Sequence, residues 1–173
     1  MIHGLGELIS VASKQEVRNL LDRIVDEADG LARAHGLDRV KLSGDTYFAA
    51  CGTSRPYLDH APRSIAFALE ATELIDDIAA DFGYQLTVGG GLDSGPVTIG
   101  LTGGTGLVYD AWGPTVTTAS QLARIAGRDQ ILVSSSVRAQ LPDSLEVSDY
   151  EGVSSLPDIA VVNGSRTTSG ERL

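Results

Sequence analysis

The sequence predicts a two-layer α/β fold, an α+β sandwich, and three observations carry that prediction. Two long amphipathic helical patterns bracket a pair of short apolar runs joined by Ser-Gly-Asp. Strand-like runs then alternate with shorter helical ones through the second half of the chain. No internal repeat and no linker interrupts the 173 residues, which is about one domain's length.

Residues 13–16, Ser-Lys-Gln-Glu, form a capping-box pattern. Behind it Val17, Leu20, Leu21, Ile24, Ala28, Leu31 and Ala32 fall on one helical face, predicting a helix over about 14–35 that Gly36 ends. Val40 and Leu42 precede Ser43-Gly44-Asp45, and Tyr47, Phe48 and Ala49 follow it, which reads as a hairpin with Asp45 just past its tip. Pro62 opens a second amphipathic helix carrying Ile65, Leu69, Leu74, Ile75, Ile78 and Phe82, closed by Gly83. Residues 85–88 and 96–101 read as strands on either side of GGGLDSG, itself read as a glycine-permitted turn or bulge. A third helix fits 115–126, a strand 130–134, a short helix 135–141, and late strands 145–150 and 159–162. The domain is accordingly placed at 1–163, with the polar residues 164–173 as a disordered tail.

Composition excludes several classes of function. A formal charge of −10 with only 13 Lys and Arg leaves no basic face for a phosphate backbone, so nucleic acid is not an expected partner. The same acidity disfavours anionic membranes. No run approaches eighteen apolar residues, and MIHGLGELIS lacks the basic flank and apolar block of a signal peptide, so a cytoplasmic, soluble segment without membrane contact is expected. The single cysteine, Cys51, lies in an apolar strand-like run and is expected to be a buried free thiol.

The chemistry-bearing residues cluster in two motifs, VKLSGDTYFAACG at 40–52 and YDAWGPTVTTAS at 109–120. Taken singly, Lys41 reads as an exposed strand lysine, Asp110 as a strand-end residue, Trp112 as a packing residue, and Asp45 as a turn aspartate bonding nearby amides. GGGLDSG fits neither a dinucleotide fingerprint nor a phosphate loop ending in Gly-Lys-Ser/Thr, so structural turns and close packing account for it better. His3, His35 and His60 show no metal-ligand spacing and are expected at the surface or at helix ends.

In order and at family spacing, these motifs resemble the catalytic domain of class III adenylate and guanylate cyclases, from the first residue to about 162. The resemblance implies a ferredoxin-like βαββαβ core, a head-to-tail dimer with sites at its interface, and conversion of ATP to cyclic AMP and pyrophosphate on two Mg²⁺ or Mn²⁺ ions. It gives Lys41 and Asp110 the reading of the adenine edge, where guanylate cyclases typically carry Glu and Cys, and so implies ATP as the nucleotide. It gives Asp45 the role of one metal carboxylate.

Other family positions are replaced. The first metal Asp falls on Met1, the nucleotide-orienting Asn on Thr117, and the transition-state Arg on Gln121. A phosphate-binding Lys expected in a V-K-G run is missing from GVSSLPD at 152–158. Exchanging a phosphate-facing Arg for neutral Gln removes a charge-assisted contact that strengthens as the transition state forms. The resemblance is therefore to an N-terminally truncated domain with degenerate catalytic positions, weakly active or inactive. The alternative is a non-catalytic pseudo-cyclase serving as a nucleotide-binding or dimerisation module, alone as a homodimer or with another cyclase domain. The same register predicts an apolar strand upstream of Met1, following a regulatory or membrane region or standing alone. Without that central strand, neighbouring strands lose ladder partners, and the isolated chain is expected to fold poorly.

Overall fold

The computed structural model describes residues 1–103, 108–152 and 155–162. The expected disordered tail, 164–173, lies outside these residues. The chain begins with strand β1 (Ile2–His3) and helices α1 (Leu5–Val11) and α2 (Lys14–Ala34), then the hairpin β2 (Leu37–Ser43) and β3 (Thr46–Cys51). Helix α3 (His60–Asp81) leads to β4 (Thr87–Val88) and β5 (Gly90–Leu92), followed by a second hairpin, β6 (Thr98–Thr102) and β7 (Val108–Trp112). Helix α4 (Pro114–Ile125), β8 (Ile131–Val133), α5 (Ser135–Arg138), β9 (Val147–Asp149) and β10 (Ala160–Val162) complete it. This is the mixed helix-and-sheet architecture expected.

The capping box is formed. Ser13 Oγ accepts from the Glu16 amide at 3.2 Å, and Glu16 returns a carboxylate to the Ser13 amide at 2.9 Å, satisfying two donors that the start of a helix leaves open. Leu20 and Ile24 of α2 pack on Ile75 and Ile78 of α3, with Ile2, Leu5 and Leu8 from the N-terminal segment in the same core. A second core joins Ala61 and Ile65 of α3 to Ile131 and Val133 of β8 and Val162 of β10.

Four small sheets carry the strands: β1 with β4, β2 with β3, β6 with β7, and the order β5-β8-β10-β9. In β2 the register slips between Arg39, opposite Ala49, and Lys41, opposite Phe48, so Val40 is an extra residue, a bulge. Leu37 and Val40 are both buried, a spacing of three that a regular two-residue alternation would send to opposite faces.

Several expectations need correction. Helix α1 was not expected. It is short, and Gly4 at its start has φ 89° and supplies no side-chain cap, so its sequence carries no start signal. GGGLDSG is not simply a turn, because Gly90–Leu92 forms β5 and runs parallel to β8. Glycine is required there by close approach: a Cβ on Gly91 would lie 2.2 Å from the Ala123 amide nitrogen and 2.4 Å from the Ala119 carbonyl oxygen of α4. Cys51 is half-buried rather than buried; its thiol donates to the Gly36 carbonyl at 3.5 Å, and partial burial raises its pKa. His3 lies in β1, immediately before Gly4 at the start of α1, with Nε2 buried and without a hydrogen-bond partner among the described residues. His35 caps α2 and His60 opens α3, as expected.

Candidate nucleotide site

Strand β2 and strand β7 lie against each other, which brings Lys41 next to Asp110 across 69 residues of sequence. Lys41 Nζ donates to Asp110 Oδ1 at 2.7 Å, and the Ala111 amide donates to the same oxygen at 2.7 Å. These two donors hold the Asp110 carboxyl below the ordinary carboxylate pKa, the lysine contributing most. The pair is partly exposed, so both groups are reachable by a ligand. Trp112, two residues on, is also part-exposed and packs over Gly100 of β6, where a Cβ would sit 3.6 Å from its ring.

Asp45 follows Gly44, whose φ of 61° makes the tight turn of the hairpin. Its carboxylate accepts from Thr46 Oγ1 at 2.9 Å, and its backbone carbonyl accepts from the Ile2 amide at 2.8 Å. The turn therefore fastens β1 to β3. The Met1 ammonium donates to the Gly89 carbonyl at 2.9 Å; burial draws its pKa down, and the nearby Asp45 charge opposes that shift.

Among the described residues no group of three His, Cys, Asp or Glu side chains is placed to hold an ion. Asp45 is thus not gathered with two further such ligands among the described residues.

Thr117 and Gln121 lie on the exposed side of α4, one turn apart. Thr117 Oγ1 donates to the Gly113 carbonyl at 3.3 Å. The Lys41–Asp110 pair is thus assembled within a single chain, whereas Asp45 sits in a separate turn and Thr117 and Gln121 on a separate helix face. Sequence reading missed the mutual contact of Lys41 with Asp110 as a resting state. β2 and β7 belong to different sheets, so no strand-pairing pattern in the sequence announced this contact.

A sequence model described as "Adenylate and Guanylate cyclase catalytic domain" matches residues 1–161, and the chain belongs to this family. It is 33% identical over 142 residues to an adenylate cyclase of Mycobacterium bovis, a match covering 82% of this chain and 32% of that protein, so the chain spans about a third of that relative. Among solved structures it is similar to the guanylate cyclase domain of RhGC from Catenaria anguillulae in complex with GTP, with TM-score 0.85, 25% identity, and coverage of 92% of this chain and 90% of that one. It is also similar to a non-canonical dimeric guanylyl cyclase domain of the RhoGC fusion protein from Blastocladiella emersonii, with TM-score 0.85, 25% identity, and coverage of 94% of this chain and 92% of that one. No helix among the described residues is long and apolar enough to cross a membrane.

Proposed function

We propose that this chain is an adenylate cyclase-type domain that binds ATP at a dimer interface and converts it to cyclic AMP and pyrophosphate weakly or not at all. The observation that supports ATP is the Lys41–Asp110 pair at 2.7 Å. Adenine offers an acceptor at N1 beside a donor at its exocyclic amine, and an ammonium next to a carboxylate answers both. In the unliganded chain the two groups satisfy each other, so the base would exchange one charge-assisted contact for two hydrogen bonds of its own.

Weak catalysis follows from what surrounds the pair. Members of the family generally depend on divalent metal, and of the two metal carboxylates the resemblance implies, this sequence carries Asp45 while Met1 stands at the other position. Gln121 and Thr117 present no positive charge to a phosphate developing extra charge in the transition state. A dimer of identical chains would repeat both deficits. These features favour a second reading, a non-catalytic nucleotide-binding or dimerisation module that regulates a partner.

The test is cyclic AMP formation from ATP with Mn²⁺ by the purified chain, with Asp45→Ala as background. Product above that background supports a divergent enzyme. Absent product with retained ATP binding supports the regulatory module, and absent ATP binding overturns the cyclase reading and leaves a dimerisation module alone.

A further inference from the structure

Helix α2 turns one carboxylate toward the hairpin that carries Lys41 and Asp45. Asp29 stands beside the buried stripe of Ile24, Ala28 and Ala32, and its side chain is only 19% exposed. A carboxylate drawn this far out of water is costly unless donors meet it. Two do, and they come from different strands. Tyr47 of β3 donates its hydroxyl to Asp29 Oδ1 at 2.8 Å, and the Arg39 guanidinium of β2 lies 3.4 Å from the same oxygen.

The tie is built to persist. Burial first, and the bond to the Asp29 carboxylate second, hold the Tyr47 hydroxyl far above the ordinary phenol range, so it remains a donor near neutral pH. Because the acceptor is ionised, the bond is of the stronger, charge-assisted kind. The Tyr47 ring also lies against Phe67 of α3, with centroids 6.0 Å apart, so this one side chain touches both long helices.

Both donors stand two residues from a residue of the candidate site. Arg39 precedes Lys41 across the bulged Val40, and Tyr47 follows Asp45. Tyr47 is paired with Leu42, the residue after Lys41, so Asp29 grips the hairpin on either side of that lysine. Lys41 in turn meets Asp110 across two separate sheets, and the length of that contact depends on how the first hairpin is seated. Apolar packing of Leu37 and Val40 holds the hairpin to the core, but such packing is non-directional and tolerates sliding. Hydrogen bonds to one fixed carboxylate do not.

We propose that Asp29 is a positioning residue for the nucleotide site. Through Tyr47 and Arg39 it seats the β2–β3 hairpin on α2, and thereby sets the approach of Lys41 to Asp110 and the discrimination of adenine from guanine. The nucleotide half of this rests on the base-reading role proposed above for that pair.

The test uses the full chain with Asp29→Leu, Tyr47→Phe and the two combined. Asp29→Leu alone strands the half-buried Tyr47 hydroxyl and should lower stability in urea unfolding. The double variant removes donor and acceptor together, should return close to the parent, and carries the test even if Asp29→Leu fails to fold. The Asp110 carboxyl is then titrated by carbon-detected NMR. Lys41 is the first cause of its low pKa, so withdrawal of Lys41 should raise that pKa toward the ordinary carboxylate value, in the double variant as in the single ones. Loss of the Asp29 charge acting through space would lower it instead, so the direction separates the two causes. Asp29→Asn, which keeps an acceptor for Tyr47, should move it least. With ATP and GTP titrated in parallel, the ratio of affinities should narrow by about threefold or more in the double variant. An Asp110 titration that is unmoved or lowered there, or that recovers together with stability, would overturn the proposal. A raised titration with an unchanged nucleotide ratio would overturn base reading by the pair, and with it the nucleotide half, leaving the tie between Asp29 and the Lys41–Asp110 contact standing.

Discussion

Lys41 Nζ and Asp110 Oδ1 stand 2.7 Å apart, joining the first hairpin to the second through one charged contact. If this pair reads the base, Lys41→Glu places two carboxylates together and should reduce ATP affinity by tenfold or more, while GTP affinity changes less. Isothermal titration with each nucleotide gives the comparison. Equal loss for both would point to a collapsed hairpin rather than to base reading.

The same pair makes a pH prediction. The folded pKa of Asp110 is lowered, by Lys41 first and the Ala111 amide second. Its contribution is therefore present above the unfolded carboxylate pKa and is lost as pH falls through the folded value. Asp110→Asn should flatten the acid side of the thermal-midpoint profile between about pH 5 and pH 3, and leave the neutral-to-basic side parallel to the parent.

If Thr117 and Gln121 hold the positions of the family's Asn and Arg, exchanging them tests catalysis. Thr117→Asn together with Gln121→Arg should raise the turnover of ATP to cyclic AMP while moving ATP binding little, because the added arginine acts mainly on the transition state. A gain in binding without a gain in turnover would place these positions outside the reacting phosphate.

Glycine substitutions separate close approach from flexibility. Gly91→Ala drives a Cβ against the backbone of Ala119 and Ala123 and should destabilise the chain by roughly 2 kcal/mol or more in urea unfolding. Gly30→Ala, in α2 with nothing within 4 Å of the new Cβ, should stabilise it by about 0.5–1 kcal/mol.

Removing the cap of α2 by Ser13→Ala leaves the Glu16 amide without its acceptor and should cost about 1 kcal/mol in the same assay.

Much of the fold was legible where local signals and tertiary demands agree. Ser13 and Glu16 announce α2, and Gly44 fixes the turn that carries Asp45. The strand Gly90–Leu92 was not legible as a strand, because glycine has low β-propensity and Gly91 is required by its close approach to Ala119 and Ala123, which lie far downstream in α4. Of the candidate site, Lys41 and Asp110 were named from motif spacing, but their direct contact depends on how two hairpins pack, and hairpin packing leaves no pattern in either segment.

The bulge at Val40 adds one residue to β2 and none to β3. Arg39 and Lys41 nevertheless face adjacent residues of β3, Ala49 and Phe48, so the bulge absorbs the surplus residue without disturbing the pairing on either side. Val40 itself turns inward and is buried, so β2 gains an extra apolar contact with the core while the Lys41 side and the Arg39–Asp29 contact at 3.4 Å keep their places.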